Sequence, residues 1–226
     1  MTLTDLPEIQ ISKHARAKHL RLRVDGQSIK LTVPTLTTKK QIQQFIDQST
    51  PWLLETWQKQ QQQKSSATQQ RPTQLQLFNL DQPIEVVYVE QQHGAASFDA
   101  QQFQLFIRVD VAESALKAFV KAYAKQHLTR FLKQVSNDHE ITFSQAKIRE
   151  AKTRWGSCSA KHDIMLNSAL VLCPLEVVRY VCIHELAHTR HFDHSAAFWS
   201  EVARHDPLYL QHRKALKQFK MPYWYL

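Results

Sequence analysis

A short motif near the carboxyl end of this 226-residue chain combines two histidines and a glutamate at a spacing suited to metal chemistry. The motif is His184-Glu185-Leu186-Ala187-His188, and it lies in an apolar stretch whose spacing predicts a helix. Residues four apart lie one helical turn apart on the same face, so both imidazoles can hold one metal ion. Glu185 lies beside that face and is expected to act as general base on a metal-activated water.

A hydrolytic zinc site needs a third protein ligand and an open position for water. His194 is the expected third ligand, because five intervening residues after His188 let the helix end and the chain turn back. His191 is an alternative, although on a continuing helix it would lie two turns from His184. Glu201 remains a second alternative. We expect one Zn²⁺ per chain, with the other ring nitrogen of each ligand meeting a carboxylate or a backbone carbonyl.

The charge that develops on a substrate oxygen during hydrolysis needs a hydrogen-bond donor besides the metal. The sequence offers several candidates near the motif but does not rank them. These transition-state or substrate-binding candidates are Asn167, Tyr209, His205 and Arg213.

Composition narrows the classes of function. Hydrophobic residues make up 43% and charged residues 22%, which is typical of a globular protein. No stretch approaches the length of a membrane span, and the first residues do not resemble a secretory signal. The three cysteines are widely spaced, so we expect neither a disulfide framework nor a thiolate metal site, and a cytoplasmic location. The oligomeric state stays open.

The net charge of +9 permits binding to nucleic acid without requiring it. No acidic residue lies between Ile9 and Val24, and the basic residues alternate with apolar ones in part of this segment. We therefore interpret them as the solvated face of a strand, with nucleic-acid binding possible but not favoured. The basic residues concerned are Lys13, Arg16, Lys18, Arg21 and Arg23.

The amino-terminal third predicts a β-hairpin followed by two helices. Alternating apolar residues indicate strands over 20–24 and 29–33, joined by Asp25-Gly26. Helical spacing follows over 39–47 and 51–62, with Thr50 as the N-cap and Pro51 at the first position of the second helix. A polar, Gln-rich run then ends near residue 70, which predicts two domains, residues 1–70 and 71–226.

The spacing of apolar residues over 71–226 predicts an α+β fold. Strands are expected over 84–89, 103–109, 147–153 and 163–167, with a long amphipathic helix over 114–135. The strand over 163–167 is a candidate sheet edge for binding an extended peptide. Pro174 opens the helix that carries the histidines, and Asp206-Pro207 is typical of the start of a last helix.

Several further motifs resemble those of the YgjP-like metallopeptidases, relatives of the SprT-like and WLM zincins. Thr153-Arg154-Trp155-Gly156-Ser157-Cys158-Ser159 is similar to the R-W-G-S-C-S signature of that family. Leu166-Asn167, the His184–His188 motif, the segment His194–Trp199 and Pro207-Leu208-Tyr209 follow in the family's order. The resemblance implies a zincin-like metallopeptidase domain, with the active-site helix packed on a small, mostly antiparallel sheet.

The predicted function is that of a zinc metalloendopeptidase acting on peptide or protein substrates. Two alternatives remain open: a protease recruited to nucleic-acid-bound proteins, and a zinc hydrolase of a non-peptide amide. The same activated water would serve all of these reactions, so the motif alone does not separate them.

Overall fold

A computed structural model describes residues 6–24, 28–66, 71–90 and 93–226. The chain forms two compact units, Met1–Gln70 and Arg71–Leu226. The strands are β1 (Ile9–Lys13), β2 (Arg21–Val24), β3 (Ile29–Val33), β4 (Gln74–Leu75), β5 (Ile84–Val89), β6 (Ala96–Asp99), β7 (Gln104–Arg108), β8 (Ala146–Arg149), β9 (Gly156–Cys158) and β10 (Ile164–Asn167). The α-helices are α1 (Lys39–Ser66), α2 (Ala112–Asp138), α3 (Leu175–Ala187), α4 (Ala196–His205) and α5 (Tyr209–Gln218). The predicted α+β class is confirmed.

The first unit contains a three-stranded sheet in the order β1-β3-β2. β2 and β3 form the predicted antiparallel pair, whereas the Asp25-Gly26 turn lies outside the described residues. Ile29, Leu31 and Val33 are fully buried, as their alternation predicts. β1 pairs in parallel with β3 and was not predicted, although Ile9 and Ile11 alternate with polar residues; most of its side chains are exposed.

The basic residues of the first unit lie on its surface. Arg21 and Arg23 are exposed on β2, while Leu22 and Val24 between and beside them pack against the small core. Arg16 and Lys18 are exposed as well. This arrangement agrees with a solvated strand face.

The prediction of two helices around Pro51 is wrong, because α1 continues through this residue. Pro51 has no N–H, so the helix lacks the bond that this residue would donate to the carbonyl of Asp47. The Thr50 hydroxyl donates instead of capping, 2.8 Å from the carbonyl of Ile46. Leu53, beyond the proline, is fully buried in the small core of this unit, and that apolar packing offsets the missing bond.

The second unit contains a four-stranded sheet in the order β4-β5-β7-β6. β5 and β7 occupy the two predicted strand segments and pair in parallel. The short strand β6 follows β5 along the chain and lies at the edge of the sheet beside β7. It was not predicted, because only Phe98 in it has a large apolar side chain. α2 packs the apolar side chains of the predicted long helix into the main core.

The sheet beside the candidate site is β8-β10-β9. β10 is its central strand, parallel to β8 and antiparallel to β9, so the sheet is mixed and not mostly antiparallel. The expectation that residues 163–167 form a sheet edge is therefore wrong, since both sides of β10 are paired. β9 is an edge strand and was not predicted, because Gly156, Ser157 and Cys158 have little strand preference.

Three helices follow in the second unit. Pro174 directly precedes α3, as predicted. The Ser195 hydroxyl accepts a hydrogen bond from the Phe198 amide and caps α4, a helix the sequence did not indicate separately. α5 begins at Tyr209, three residues after the Asp206 signature. Within the described ranges, no helix has the length and apolar character needed to cross a membrane.

Replacing Pro51 with Ala should stabilise α1, because alanine restores the missing N–H. An interior proline costs a helix about 3 kcal/mol relative to alanine, so a gain of about 1–3 kcal/mol is expected after partial compensation elsewhere. Hydrogen exchange of the α1 amides measures it, with the exposed Gln48→Ala as the control. Faster exchange in Pro51→Ala would favour two separate helices with the proline at a helix start.

Candidate active site

The histidine-glutamate motif occupies the last turn of α3. Most of this helix is buried, so its end is held firmly in the core of the second unit. His188 is the C-cap residue, and its amide still donates to the His184 carbonyl at 3.3 Å. The two imidazoles therefore lie one turn apart with their ring centroids 4.9 Å apart, as the spacing predicts.

The chain turns back after α3 and brings His194 to the other two histidines. The Nε2 atoms of His184 and His194 are 3.2 Å apart, and one ring nitrogen from each of the three histidines lies within 4.8 Å of the others. Tetrahedral zinc with Zn–N bonds of about 2.0–2.1 Å places its ligand nitrogens about 3.3 Å apart. The facing nitrogens of His184 and His194 already match this separation, and the third imidazole has to move closer for all three to bind one zinc ion.

The two alternative third ligands make other contacts. His191 contacts the site through its backbone and not its imidazole: its carbonyl accepts a hydrogen bond from Nδ1 of His188 at 2.9 Å. Glu201 forms an ion pair with Arg190 and contacts Nε2 of His205 at 3.1 Å. Among the described residues, neither His191 nor Glu201 belongs to a cluster that could hold a metal ion.

In His184 and His188, the ring nitrogen that would not bind the metal is Nδ1, and the two Nδ1 atoms have different surroundings. Nδ1 of His188 meets the His191 carbonyl, which leaves Nε2 free to bind a metal. Nδ1 of His184 is buried and has no hydrogen-bond partner among the described residues. The expectation that every second nitrogen meets an acceptor therefore holds for His188 and not for His184.

The surroundings keep two of these imidazoles neutral, which is the form that binds metals. Burial, with smaller contributions from the nearby His188, His194 and Arg213, lowers the pKa of His184 to about 3. Burial also lowers the pKa of His188, although its hydrogen bond to the His191 carbonyl opposes the shift.

Phe198 and Trp199, at the start of α4, pack against the histidines. The ring of Phe198 is fully buried and lies 4.4–4.9 Å from the rings of all three. Trp199 stacks on the exposed His194 ring at 5.7 Å. These contacts restrict the imidazole rotamers, so the sequence segment that supplies His194 also supplies the side chains that orient it.

Glu185 is the buried carboxyl group of the site, with 5% of its surface exposed. Burial raises the pKa of Glu185 to about 8, and the positive charge of Arg154 partly opposes this shift. A carboxyl group with a pKa near neutral can both accept and return a proton under physiological conditions. A divalent cation beside it would favour the carboxylate form.

Gly156, on the edge strand β9, makes room for Glu185. A Cβ at this position would lie 2.6 Å from Cγ and 2.7 Å from Cδ of Glu185, closer than any real contact. Sequence reasoning missed this role, although the position lies in the R-W-G-S-C-S segment and the chain has only three glycines. In a chain with so few glycines, a glycine in this segment could have indicated a position where a side chain does not fit.

The four transition-state candidates fall into two groups. Tyr209 stacks on Trp199 with ring centroids 5.5 Å apart, and the Arg213 guanidinium lies 4.6 Å from the Trp199 ring. Asn167 instead donates to two backbone carbonyls in the loop before β9 and accepts from an amide. His205 is engaged by Glu201. Only Tyr209 and Arg213 are thus linked to the histidines, through Trp199.

Replacing Gly156 with Ala should displace Glu185 while leaving the histidines in place. We expect hydrolysis of labelled casein to fall by at least about 100-fold, the scale of losing a positioned proton carrier, with zinc content unchanged. Gly94→Ala is the matched control, because a Cβ there meets nothing within 4 Å, and it should retain hydrolysis despite its positive φ. Equal activity in the two variants would contradict the packing role of Gly156.

One of three comparisons with known proteins identifies a family for this chain. The model of the YgjP-like metallopeptidase domain matches residues 18–219. The solved structure of the Pyrococcus abyssi abylysin zymogen is 26% identical, with a TM-score of 0.36 over 40% of this chain and 94% of that one. The Methanocaldococcus jannaschii jannalysin zymogen is 19% identical, with the same score and coverage. A search of curated proteins gives no match. Since the family model spans most of its length, the chain belongs to the YgjP-like metallopeptidase family.

Proposed function

We propose that this protein is a zinc-dependent metalloendopeptidase. The observation that carries the proposal is the convergence of three imidazoles and one buried carboxyl group on a cleft of about 250 Å³ beside the edge strand β9. Membership of a metallopeptidase family supports both the use of a metal and a peptide substrate.

His184, His188 and His194 would hold the zinc ion. Two of these histidines have lowered pKa values and the facing nitrogens of His184 and His194 are 3.2 Å apart, which suits the nitrogen donors that zinc prefers. When bound, zinc lowers the pKa of a water to about 7 and polarises a carbonyl.

Glu185 would move the proton during hydrolysis. Its carboxylate accepts a proton from the attacking water and then donates it to the amine that leaves when the peptide bond breaks. The contact with Gly156 holds the side chain in one position, so no ordering is needed at the moment of transfer. Burial excludes competing water from the carboxyl group and strengthens its interactions with the reacting atoms.

The edge strand β9 would bind the substrate backbone. Its residues form one wall of the cleft, and the exposed Phe192 contributes to the rim. An extended peptide can add to such an edge through backbone hydrogen bonds, which recognise any sequence. Arg213 and Tyr209 are the candidates that remain for stabilising the oxygen of the transition state, because both contact Trp199 beside His194.

Changing the proposed ligands should separate the three candidates for the third position. Removing His194 takes away a direct ligand, so His194→Ala should weaken zinc binding by more than about 100-fold, the upper range for losing an outer-shell partner. Competition with a fluorescent chelator measures the affinity. His191→Ala and Glu201→Gln are the controls. Should either control lose zinc while His194→Ala keeps it, the ligand set would have to be redrawn.

Glu185→Gln should retain zinc and fold but lose hydrolysis. Glutamine has nearly the same shape and fits beside Gly156, but it cannot carry a proton, so a loss of about 10²–10⁴-fold is expected. Turnover of labelled casein by the zinc-loaded variant measures the effect, with circular dichroism as the check on folding. Near-normal turnover would contradict the general-base role.

A further inference from the structure

A second cavity adjoins the proposed active site on the other side of β9. Its volume is about 520 Å³, and it shares Ser157 and Cys158 with the cleft that contains Glu185. Three basic side chains and two acidic ones are among its lining residues. The basic residues are Lys147, Arg149 and Arg154, and the acidic ones are Glu150 and Asp163.

Among the charged residues that line this cavity, one acidic residue is paired with lysines outside the lining, whereas the basic residues form no ion pair among the described residues. Glu150 pairs with Lys117 at 2.7 Å and with Lys121 at 3.1 Å, so its charge is already balanced by α2. Among the described residues, Lys147, Arg149 and Arg154 form no ion pair, so three positive charges line the cavity together with the one remaining carboxylate, Asp163. Arg154 also acts on Glu185 in the neighbouring cleft. The five charged lining residues therefore give the cavity a net positive charge.

The strand register connects this cavity to the peptide path. Lys147, Met165 and Ser157 lie side by side across β8, β10 and β9, and side chains in one row project from the same face of a sheet. Gly156, the neighbour of Ser157, faces Glu185 on the opposite side. A peptide extended along β9 would therefore alternate its side chains between the catalytic cleft and the basic cavity.

We propose that this cavity is a subsite for an acidic side chain of the peptide substrate. The proposal rests on the proposed peptidase function and gives it a substrate class: extended segments with Asp or Glu near the cleaved bond. Arg149 offers a planar guanidinium that can bind a carboxylate through two parallel hydrogen bonds, and Lys147 adds a second charge at the same face. The cavity is open to solvent, so the preference is expected to be moderate and to weaken with salt.

A peptide scan tests the subsite. A single Glu is moved along short labelled peptides of one neutral host sequence, and kcat/KM is compared with the matched Gln peptides. Partly exposed ion pairs are individually weak, and the proposed subsite offers two of them, so the wild type should prefer Glu by about two- to thirtyfold. The preference should recur at alternate positions only, as the pleat requires. The double variant Lys147→Glu/Arg149→Glu should reverse it and prefer Gln.

The matched control is Lys125→Glu/Arg130→Glu, which changes two exposed basic residues of α2 by the same charge and should keep the preference for Glu. Arg154 is left unchanged, because its charge also acts on Glu185. Cleavage of Glu and Gln peptides at equal rates by the wild type would overturn the subsite and leave the peptidase proposal standing.

Binding separates the two proposals further. Fluorescence anisotropy of the same peptides with the Glu185→Gln protein reports the preference for Glu without any cleavage. Failure of the wild type to cleave any of the peptides would therefore overturn the peptidase function and leave the subsite testable. A Glu preference that the double variant reverses supports the subsite. If the peptides show no preference while single-stranded oligothymidylate binds and loses affinity in the double variant, the cavity is a nucleic-acid site and the proposal is wrong.

Discussion

The packing of the Glu185 side chain against the backbone of Gly156 is the contact on which the rest of the site depends. A carboxyl group loses its hydration when it is buried, and here burial raises the pKa of Glu185 to about 8. Such a group is held in place only if the surrounding backbone leaves just enough room for it. Gly156 provides that room, and the same strand, β9, forms the wall along which a substrate would extend.

The helix α3 both fills the main core and positions residues of the site. Its apolar residues are buried in the main core, while its last turn presents His184 and Glu185 to the cleft. His194 reaches the same point from a separate segment, because the chain reverses after His188. Phe198 then packs against all three imidazoles, which links the start of α4 to the end of α3.

Spacing along one helix could be predicted from the sequence, since four residues make about one turn whatever the tertiary structure. His184 and His188 therefore lie together as expected, and His194 joins them where the number of intervening residues allows a turn. Contacts between segments distant in sequence could not be predicted in the same way. The approach of Gly156 to Glu185 is one example. The pairing of β10 on both sides, which removes residues 163–167 from the sheet edge, is another.

Pro51 shows why local preference alone fails. A proline after a threonine is typical of a helix start, yet α1 continues because the buried Leu53 gains more from packing than the helix loses in one hydrogen bond. The α+β class and the antiparallel pairing of β2 with β3 needed only alternation and helical spacing, and both are confirmed.

The central claim is that three imidazoles of this chain share one zinc ion. X-ray absorption at the zinc edge of the purified, zinc-loaded protein tests it most directly, because bond lengths and ligand types are read at the metal itself. The account predicts three imidazole nitrogens at about 2.0–2.1 Å with an additional oxygen and no sulfur. A sulfur ligand at about 2.3 Å, which would implicate a cysteine such as Cys158, or only two imidazoles, would contradict it.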